Sequence, residues 1–247
     1  MLCDVSRAHV TLAVVTEPLP LVLIPGLAGS ARLYAPQIPR LWREGPVMIA
    51  DHTRDDSMAA IARHILERAP RVFALAGLSM GGYISFEILR QAPERVARLA
   101  LLDTSPAPDT AEQSAMRRAQ MALVAQGRFA EVLDAMFPRL VHRSRREDRA
   151  LREVFDAMAQ EVGPEGYLRQ QTANIARPDS RALLGSIRCP TLVLVGDGDE
   201  VTPPERAAEM AHGIAGALLV SVPQCGHLSA LERPQEVTRA LLEWLRS

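Results

Sequence analysis

Cysteine is scarce in this chain of 247 residues. The three cysteines, Cys3, Cys189 and Cys225, are odd in number, lie far apart and include no Cys-x-x-Cys pair. Such a dispersed set does not make a disulfide framework or a zinc site. We therefore expect no bound metal, and a reducing cytosol suits these cysteines.

Long apolar runs and an excess of charge of one sign are absent as well. No apolar stretch approaches the ~20 residues that cross a membrane. Lys+Arg number 28 and Asp+Glu 29, so the net charge is −1 and predicts no general attraction to nucleic acid or to an anionic membrane. Charged residues precede the first apolar run, over 10–15, which is too short for a signal peptide. We expect a cytoplasmic protein, monomeric or homodimeric, without nucleic-acid or membrane partners.

Short apolar runs alternate with amphipathic segments along much of the chain. Such runs predict strands that are buried on both faces. They lie at 10–15, 21–24, 47–50, 72–76, 96–102, 191–195 and 217–222. Helical spacing of apolar residues predicts helices between them, as at 58–68, 83–90, 204–211 and 234–246. The alternation predicts an α/β fold with a mostly parallel, doubly wound sheet.

The alternation stops between about residues 106 and 184. Helical patterns occupy this segment, and Pro138, Pro164 and Pro178 separate them. The patterns lie at 112–125, 129–137, 146–161 and 166–175, with one further predicted helix near Tyr34, Ile38 and Leu41 before the segment. We predict that 106–184 is a helical cap over the carboxyl edge of the sheet. The cap is an insertion within one domain, whose core comprises 1–105 and 185–247.

Ser79 lies in the sequence Gly77-Leu78-Ser79-Met80-Gly81, between the predicted strand at 72–76 and the predicted helix at 83–90. Gly-x-Ser-x-Gly at a strand-to-helix junction is the pattern of a nucleophile elbow. Glycines on both sides of the serine leave room for the chain to double back. The pattern predicts that Ser79 is a nucleophile.

A serine nucleophile needs a base and a third group that orients the base. On a parallel sheet these groups come from loops at the carboxyl ends of strands. Asp197 and Asp199 both follow the strand at 191–195, and we assign the turn to Asp197 and the catalytic acid to Asp199. Asp103, after the strand at 96–102, is a third candidate that we expect instead to fix the entry to the cap.

His227 is the predicted base because it follows the last predicted strand and precedes the final helix. The order Ser, Asp, His along the chain is the one expected on this architecture. Five other histidines lack this position: His9, His52, His64, His142 and His212. Cys225, two residues earlier, lacks an elbow and is interpreted as a packed apolar residue.

Two backbone N–H groups should stabilise the oxyanion of an acyl-transfer reaction. The residue after the nucleophile, Met80, supplies one. Leu27, in the glycine-containing loop 25–29 after the strand at 21–24, is expected to supply the other.

These motifs extend over essentially the whole chain, and together they resemble the α/β-hydrolase superfamily. The shared motifs are Gly77-Leu78-Ser79-Met80-Gly81-Gly82, Ala92-Pro93-Glu94-Arg95-Val96, Cys189-Pro190-Thr191, Asp199 with Thr202-Pro203, and Gly226-His227 before Glu232-Arg233-Pro234. The resemblance is to the small capped esterase and lactonase branch, which includes 3-oxoadipate enol-lactonases and the pimeloyl carrier-protein esterase. It implies a cap inserted after the sixth strand of that fold's standard order.

Several departures from the family pattern accompany the resemblance. Pro25-Gly26 replaces the usual His-Gly, which removes a supporting side chain, and Tyr34 replaces the usual tryptophan. The usual Gly-x-Gly-x-Ser loop is missing after the strand at 47–50. Few residues precede the strand at 21–24, so the first antiparallel pair of the family is expected to be incomplete. Serine at position 79 disfavours the dehalogenase and epoxide-hydrolase branches, which carry aspartate there.

Together, the motifs and the resemblance predict a serine hydrolase that cleaves small-molecule carboxylic esters or lactones through an acyl-enzyme intermediate and needs no cofactor. Apolar cap side chains should line the acyl pocket. The candidates in the cap are Met116, Met121, Phe129, Met136, Phe137 and Tyr167, and Tyr34, which precedes the cap, is a further pocket candidate. The alternatives are carbon–carbon cleavage, lyase-type elimination or perhydrolysis by the same triad, and a ligand receptor without turnover.

Overall fold

Six parallel strands form the sheet in the computed structural model, which describes residues 18–247. The predicted strand at 10–15 lies outside the described residues. The sheet order is β2-β1-β3-β4-β5-β6, and every neighbouring pair is parallel. The strands are β1 (Leu21–Ile24), β2 (Val47–Ile49), β3 (Phe73–Leu78), β4 (Val96–Leu102), β5 (Thr191–Gly196) and β6 (Leu218–Val222).

Apolar clusters cover both faces of the sheet. Side chains alternate between the two faces along each strand, so that one strand contributes to both clusters. In β1, Leu21 and Leu23 join one apolar cluster, and Val22 and Ile24 join the other. Every residue of β1, β3 and β5 is buried. This arrangement confirms the predicted doubly wound α/β fold.

Ten α-helices accompany these strands within residues 18–247. Outside the cap they are α1 (Ile38–Leu41), α2 (Met58–Arg68), α3 (Met80–Gln91), α8 (Pro204–Gly213), α9 (Ser229–Glu232) and α10 (Pro234–Arg246). Residues 106–184, the predicted cap, contain α4 (Ala111–Ala125), α5 (Phe129–Leu140), α6 (Arg149–Ile175) and α7 (Arg181–Leu184). No helix within residues 18–247 is both long and apolar enough to cross a membrane.

Local sequence accounts for several helix ends. Ser57 begins α2 by accepting a hydrogen bond from the backbone N–H of Ala60, and Thr110 and Gln113 form a capping box at the start of α4. Such contacts satisfy N–H groups that have no partner within the helix. The bounds of α2 agree with the helix predicted at 58–68, and α4 begins one residue before the helix predicted at 112–125.

The predicted helices at 146–161 and 166–175 correspond to the two halves of α6, which a kink at Gly163 separates. Gly163 has φ 70° and ψ 166°, a conformation outside the helical region, and Pro164 follows it. Glycine adopts positive φ without a Cβ clash, and proline is tolerated at the start of the second half. The predicted helix near Tyr34 is likewise divided, into a 3₁₀ turn (Ala31–Tyr34) and α1.

The cap is fastened to loops at the carboxyl edge of the sheet. Glu161 of α6 accepts hydrogen bonds from the Ser30 hydroxyl at 2.5 Å and from Arg32 Nε at 2.6 Å. Arg169 Nε donates to the carbonyl oxygen of Thr53 at 2.8 Å. Because these loops follow β1 and β2, α6 covers the edge at which the predicted site residues lie.

Candidate active site

Ser79 lies between the end of β3 and the start of α3. Its φ of 55° and ψ of −115° are rare for a residue with a side chain, and such a conformation costs about 1–3 kcal/mol. Two hydrogen bonds hold the turn: Ser79 N–H donates to the carbonyl of Leu102 at 2.9 Å, and the Thr104 hydroxyl donates to the carbonyl of Ser79 at 2.7 Å. The turn is therefore supported by the neighbouring strand β4.

Gly77 and Gly81 flank Ser79 at positions where a side chain does not fit. A Cβ at Gly77 would lie 2.2 Å from the carbonyl oxygen of Gly81, and a Cβ at Gly81 would lie 2.1 Å from that of Ile24. Both distances are far inside van der Waals contact. A side chain at either position would push strand and helix apart and displace the serine.

The structure places Ser79, His227 and Asp199 in a hydrogen-bonded row. His227 Nε2 lies 2.7 Å from Ser79 Oγ, and His227 Nδ1 lies 2.7 Å from Asp199 Oδ2. All three residues are buried. A carboxylate only accepts hydrogen bonds, so Nδ1 of a neutral His227 carries the hydrogen and Nε2 is free to accept one from Ser79.

Asp199 is fixed by the chain that follows it. Its Oδ1 accepts hydrogen bonds from the backbone N–H groups of Val201 at 2.8 Å and Thr202 at 3.0 Å. The Thr202 hydroxyl donates to Oδ2 at 2.8 Å. These contacts hold the carboxylate in the orientation that faces His227.

The loop that carries His227 is fixed by the cap and by Glu232. The backbone N–H of His227 donates to the carbonyl of Leu140, at the end of α5, at 2.9 Å. Buried Glu232 accepts from the N–H groups of Gly226 at 3.0 Å and His142 at 2.8 Å. The position of the imidazole therefore depends on the cap as well as on the sheet.

Burial and charge act in opposite directions on the Asp199–His227 pair. Burial disfavours the ionised carboxyl, but the adjacent His227 and the hydrogen bonds to Thr202 outweigh it, so the pKa of Asp199 lies below its usual value. Burial likewise opposes the charged imidazole, but Asp199 raises the pKa of His227 above its usual value. The arrangement favours a carboxylate that is ready to stabilise an imidazolium.

The other two aspartates have different surroundings. Asp197 Oδ1 accepts from the backbone N–H of Cys225 at 3.2 Å, within the turn after β5. Asp103 is fully buried, accepts from Gly196 N–H at 3.0 Å and contacts the Ser229 hydroxyl. Asp103 thus joins the ends of β4 and β5 to α9, which differs from the predicted role at the entry to the cap.

The two expected oxyanion donors, Leu27 and Met80, both line the cavity at Ser79. Within residues 18–247, neither backbone N–H donates a hydrogen bond to another group. Met80 is the first residue of α3, where N–H groups have no helical partner. The geometry leaves both donors available, and their role stays a prediction.

His52 supports the loop that contains Leu27. His52 Nε2 lies 3.0 Å from the carbonyl oxygen of Gly26, and Ala28 N–H donates to Gln170 Oε1 at 2.9 Å. A carbonyl only accepts, so Nε2 carries the hydrogen. His52 thus supplies, from the loop after β2, a side-chain support in a loop that lacks the family's usual histidine. The position of His52 directly after the predicted strand at 47–50 is the sequence signal that could have identified it as a site residue.

A cavity of about 380 Å³ lies between Ser79 and the cap. Its lining is mostly apolar, and it includes two of the predicted pocket residues, Met116 and Met136. The other apolar side chains are Leu27, Leu33, Leu78, Met80, Ala135, Leu140, Phe155, Met158, Val201 and Leu228. Such a lining suits a hydrocarbon chain.

Five predicted pocket residues do not line this cavity: Tyr34, Met121, Phe129, Phe137 and Tyr167. Tyr34 is buried, and its hydroxyl donates to the carbonyl of Ile24 at 3.1 Å. The Tyr167 ring packs on Phe129 with centroids 5.2 Å apart, and Phe137 packs on Phe155 at 5.7 Å. These aromatic rings fill the interior of the cap and its contact with the sheet.

Polar side chains also line the cavity, and the sequence interpretation missed them. They are Tyr83, Arg117, Gln120, Arg139 and Asn174. Apolar periodicity does not reveal such residues, because it identifies buried faces but not polar groups within them. No group of three or more metal-ligating side chains occurs among the described residues.

Cys225 does not compete with Ser79 as the nucleophile. It is fully buried, and its Sγ lies 3.6 Å from the carbonyl oxygen of Gly226. Burial, together with the nearby Asp103, raises the pKa of its thiol far above the usual value. The thiolate, which is the reactive form, is therefore disfavoured.

The chain is similar in sequence and structure to several known proteins. A pimeloyl-(acyl-carrier protein) methyl ester esterase from Chromobacterium violaceum is 28% identical over 193 residues, which cover 76% of each chain. A thermophilic esterase from Thermogutta terrifontis superposes with a TM-score of 0.84 at 32% identity, covering 93% of this chain and 90% of that one. A Mycobacterium tuberculosis relative, 27% identical with 92% of this chain and 94% of its own covered, is named provisionally as a non-heme bromoperoxidase.

The family match covers most of the chain. Residues 49–234 match the family described by the alpha/beta hydrolase fold. This range includes Ser79, Asp199 and His227, and the sheet and helices observed here have the same architecture. The resemblance seen in the sequence motifs is confirmed: the chain belongs to the α/β-hydrolase fold family.

Proposed function

We propose that the protein is a serine hydrolase that cleaves carboxylic esters or lactones of small molecules in the cytoplasm. The observation that carries the proposal is His227, with one ring nitrogen 2.7 Å from Ser79 Oγ and the other 2.7 Å from Asp199. This is the arrangement that activates a serine for acyl transfer. The named relatives include esterases, which supports hydrolysis over the other reactions of the fold.

In the proposed first step, Ser79 Oγ attacks the ester carbonyl carbon while His227 Nε2 takes the hydroxyl proton. The negative charge moves to the carbonyl oxygen, where the N–H groups of Leu27 and Met80 stabilise it. His227 then gives the proton to the leaving oxygen, and the alcohol departs. Ser79 is left as an acyl ester.

In the second step, water donates a proton to His227 Nε2 and attacks the acyl carbon. The tetrahedral intermediate collapses, the proton returns to Ser79 Oγ and the carboxylic acid leaves. Asp199 stabilises the imidazolium in both steps and does not itself accept the proton. No cofactor is needed.

Turnover of p-nitrophenyl butyrate by Ser79→Ala tests this proposal. Loss of the nucleophile should lower kcat by roughly a million-fold, as when a triad acts as a unit. Ser186→Ala is the matched control, because Ser186 is exposed and lies outside the cavity lining. Unchanged ester turnover in Ser79→Ala would overturn the mechanism, as would the absence of any Ser79-dependent turnover across an ester and lactone panel.

Perhydrolysis is the second candidate, because one relative carries a bromoperoxidase name. Hydrogen peroxide would replace water in the second step, so that the acyl group leaves as a peracid and Ser79 is restored. Peracid formed from an ester and peroxide oxidises bromide, which a halogenation assay detects. Faster capture of the acyl group by millimolar peroxide than by water would favour this candidate.

A further inference from the structure

The apolar cavity at Ser79 has a polar wall, formed by Arg117 and Gln120 of α4, Asn174 of α6 and Tyr83 of α3, and Arg139 of α5 lines the cavity as well. An acyl chain of hydrocarbon alone would not pair with these groups. Polar groups that face an apolar pocket are costly unless a ligand or water satisfies them. The wall therefore raises the question of what it binds.

Asn174 is the most informative member of this wall. It is only 1% exposed, its Oδ1 atom is buried without a partner, and its side-chain amide makes no hydrogen bond to any of residues 18–247. An unpaired buried amide costs about 1–3 kcal/mol. Other buried unpaired atoms occur on Gln37, His64 and Gln170, but those residues do not line the cavity. Of these four residues, Asn174 is the one that lines the cavity at Ser79.

The wall also carries uncompensated positive charge. Asp109, with a side chain 1% exposed, pairs with both Arg117 and Arg177. Arg117 Nε lies 2.7 Å from Asp109 Oδ2, and its NH1 donates to Gln171 Oε1 at 2.7 Å, which leaves other guanidinium hydrogens unused. Two guanidinium groups and one carboxylate leave a formal charge of +1. Neither aspartate nor glutamate lines the cavity.

Arg177 joins the members of the wall to one another. Its guanidinium lies 4.2 Å from the centroid of the Tyr83 ring, and NH1 donates to the backbone carbonyl of Asn174 at 3.1 Å and to Asp109. Tyr83 and Asn174 therefore contact Arg177, and Arg117 is linked to Arg177 through Asp109. The side-chain amide of Asn174 can rotate to present its NH₂ group to an anion.

We infer that this wall binds a carboxylate of the substrate, so that the preferred substrates are monoesters of dicarboxylic acids. The ester carbonyl lies at Ser79, methylene groups contact the apolar lining, and the distal carboxylate accepts hydrogen bonds from Arg117 and Asn174. Guanidinium groups bind carboxylates with charge-assisted hydrogen bonds. This inference rests on the proposed ester hydrolysis and adds the substrate class.

Three methyl esters that differ only at the distal end test the inference. Monomethyl adipate carries a carboxylate, its mono-amide analogue carries a neutral polar group, and methyl heptanoate carries hydrocarbon. Methanol release gives kcat/KM for each, and monoesters of succinic and suberic acids extend the series in length. We expect the best carboxylate ester to exceed both matched neutral esters by at least about 10-fold, which is ~1.4 kcal/mol. Equal values, or a preference for the amide, would overturn the inference.

Two substitutions locate the effect. Asn174→Leu and Arg117→Met should each bring the ratio of kcat/KM for carboxylate and hydrocarbon esters close to one. Arg117→Met leaves Asp109 paired with Arg177. Arg118→Met, an exposed neighbour on α4, should keep the wild-type ratio.

Stability separates a ligand-binding asparagine from a structural one. Because the amide is unpaired, Asn174→Leu should keep or raise the melting temperature. A large fall in melting temperature with the wild-type substrate ratio retained would mean that Asn174 is structural and that the inference is wrong. If none of the esters is hydrolysed, including the hydrocarbon ones, the proposed function itself fails.

Discussion

Thr202 donates its hydroxyl hydrogen to Asp199 Oδ2 at 2.8 Å, and that same oxygen faces His227 Nδ1 at 2.7 Å. The two backbone donors at Val201 and Thr202 occupy the other oxygen, Oδ1. Asp197 has no comparable contact with His227, because its Oδ1 accepts from the backbone of Cys225. The turn after β5 therefore presents one aspartate to the histidine and uses the other within the loop.

Substitution of these two aspartates should have unequal effects. Asp199→Asn leaves the shape but removes the charge that orients His227 and stabilises its imidazolium, so kcat for p-nitrophenyl butyrate should fall about 10⁴-fold. Asp197→Asn, the matched control, keeps an oxygen that accepts from Cys225 and should change kcat by less than about 10-fold. The reverse ranking would show that Asp197 is the acid.

The pH dependence of kcat/KM should report His227 in the free enzyme. The base must be neutral, so activity rises with pH as His227 loses its proton. Asp199 outweighs burial and raises the pKa of His227 from 6.5, so the midpoint of the rise should lie above 6.5. Asp199→Asn should move the midpoint to lower pH. A wild-type midpoint below 6.5 would contradict the assignment of His227 as a base beside an ionised Asp199.

Asp103 should make the protein less stable as the pH rises. Burial, together with the charge of Asp199, raises the pKa of Asp103 to about 8, whereas an unfolded aspartate has a pKa near ~3.9. Between these values the folded state binds more protons than the unfolded state, so the free energy of unfolding falls with rising pH. The contribution of Asp103 is favourable below about pH 4 and is lost as pH approaches 8.

Urea unfolding of wild type and Asp103→Asn at pH 5 and pH 8 measures this effect. Asparagine can still accept from Gly196 N–H and can donate to Ser229, but it does not ionise. Wild type should lose a few kcal/mol more than Asp103→Asn between the two pH values, since each unit of pKa shift corresponds to ~1.4 kcal/mol. Parallel changes in the two proteins would show that Asp103 does not titrate in this range.

His52 should affect catalysis without contact with the substrate. His52→Phe removes the hydrogen bond to the Gly26 carbonyl and loosens the loop that presents Leu27 N–H, so kcat should fall roughly 10-fold or more while KM changes little. His52→Gln, which retains a donor, should recover part of the loss. If the phenylalanine variant has wild-type kcat, the loop does not depend on His52.

Local patterns in the sequence were sufficient to predict those helices and strands whose bounds depend on neighbouring residues. The strand Val96–Leu102 and the helices Met58–Arg68 and Pro234–Arg246 agree with the predictions, because apolar periodicity acts over a few residues. The kink at Gly163 was predicted as well, because Pro164 marked a break between the helices expected at 146–161 and 166–175.

By contrast, the pocket was predicted poorly. Tyr167 and Phe137 were expected in the lining because they lie at helical spacing in the cap, but they pack against Phe129 and Phe155. Periodicity shows that a side chain is buried and does not show whether a cavity or another ring lies beside it. Asn174 gave no signal, since a single asparagine in a polar helix is unremarkable until its neighbours are known.

The sequence by itself determined that Ser79 lies in an elbow, because Gly77 and Gly81 flank the serine between a predicted strand and a predicted helix. It also determined the alternation of strands and helices that makes an α/β-hydrolase fold. Tertiary structure decided which aspartate faces His227 and which polar groups line the cavity. Ser79 and His227 are 148 residues apart in the chain, and Arg117 and Asn174 come from different cap helices. Such contacts arise only when distant segments pack, and no local pattern encodes them.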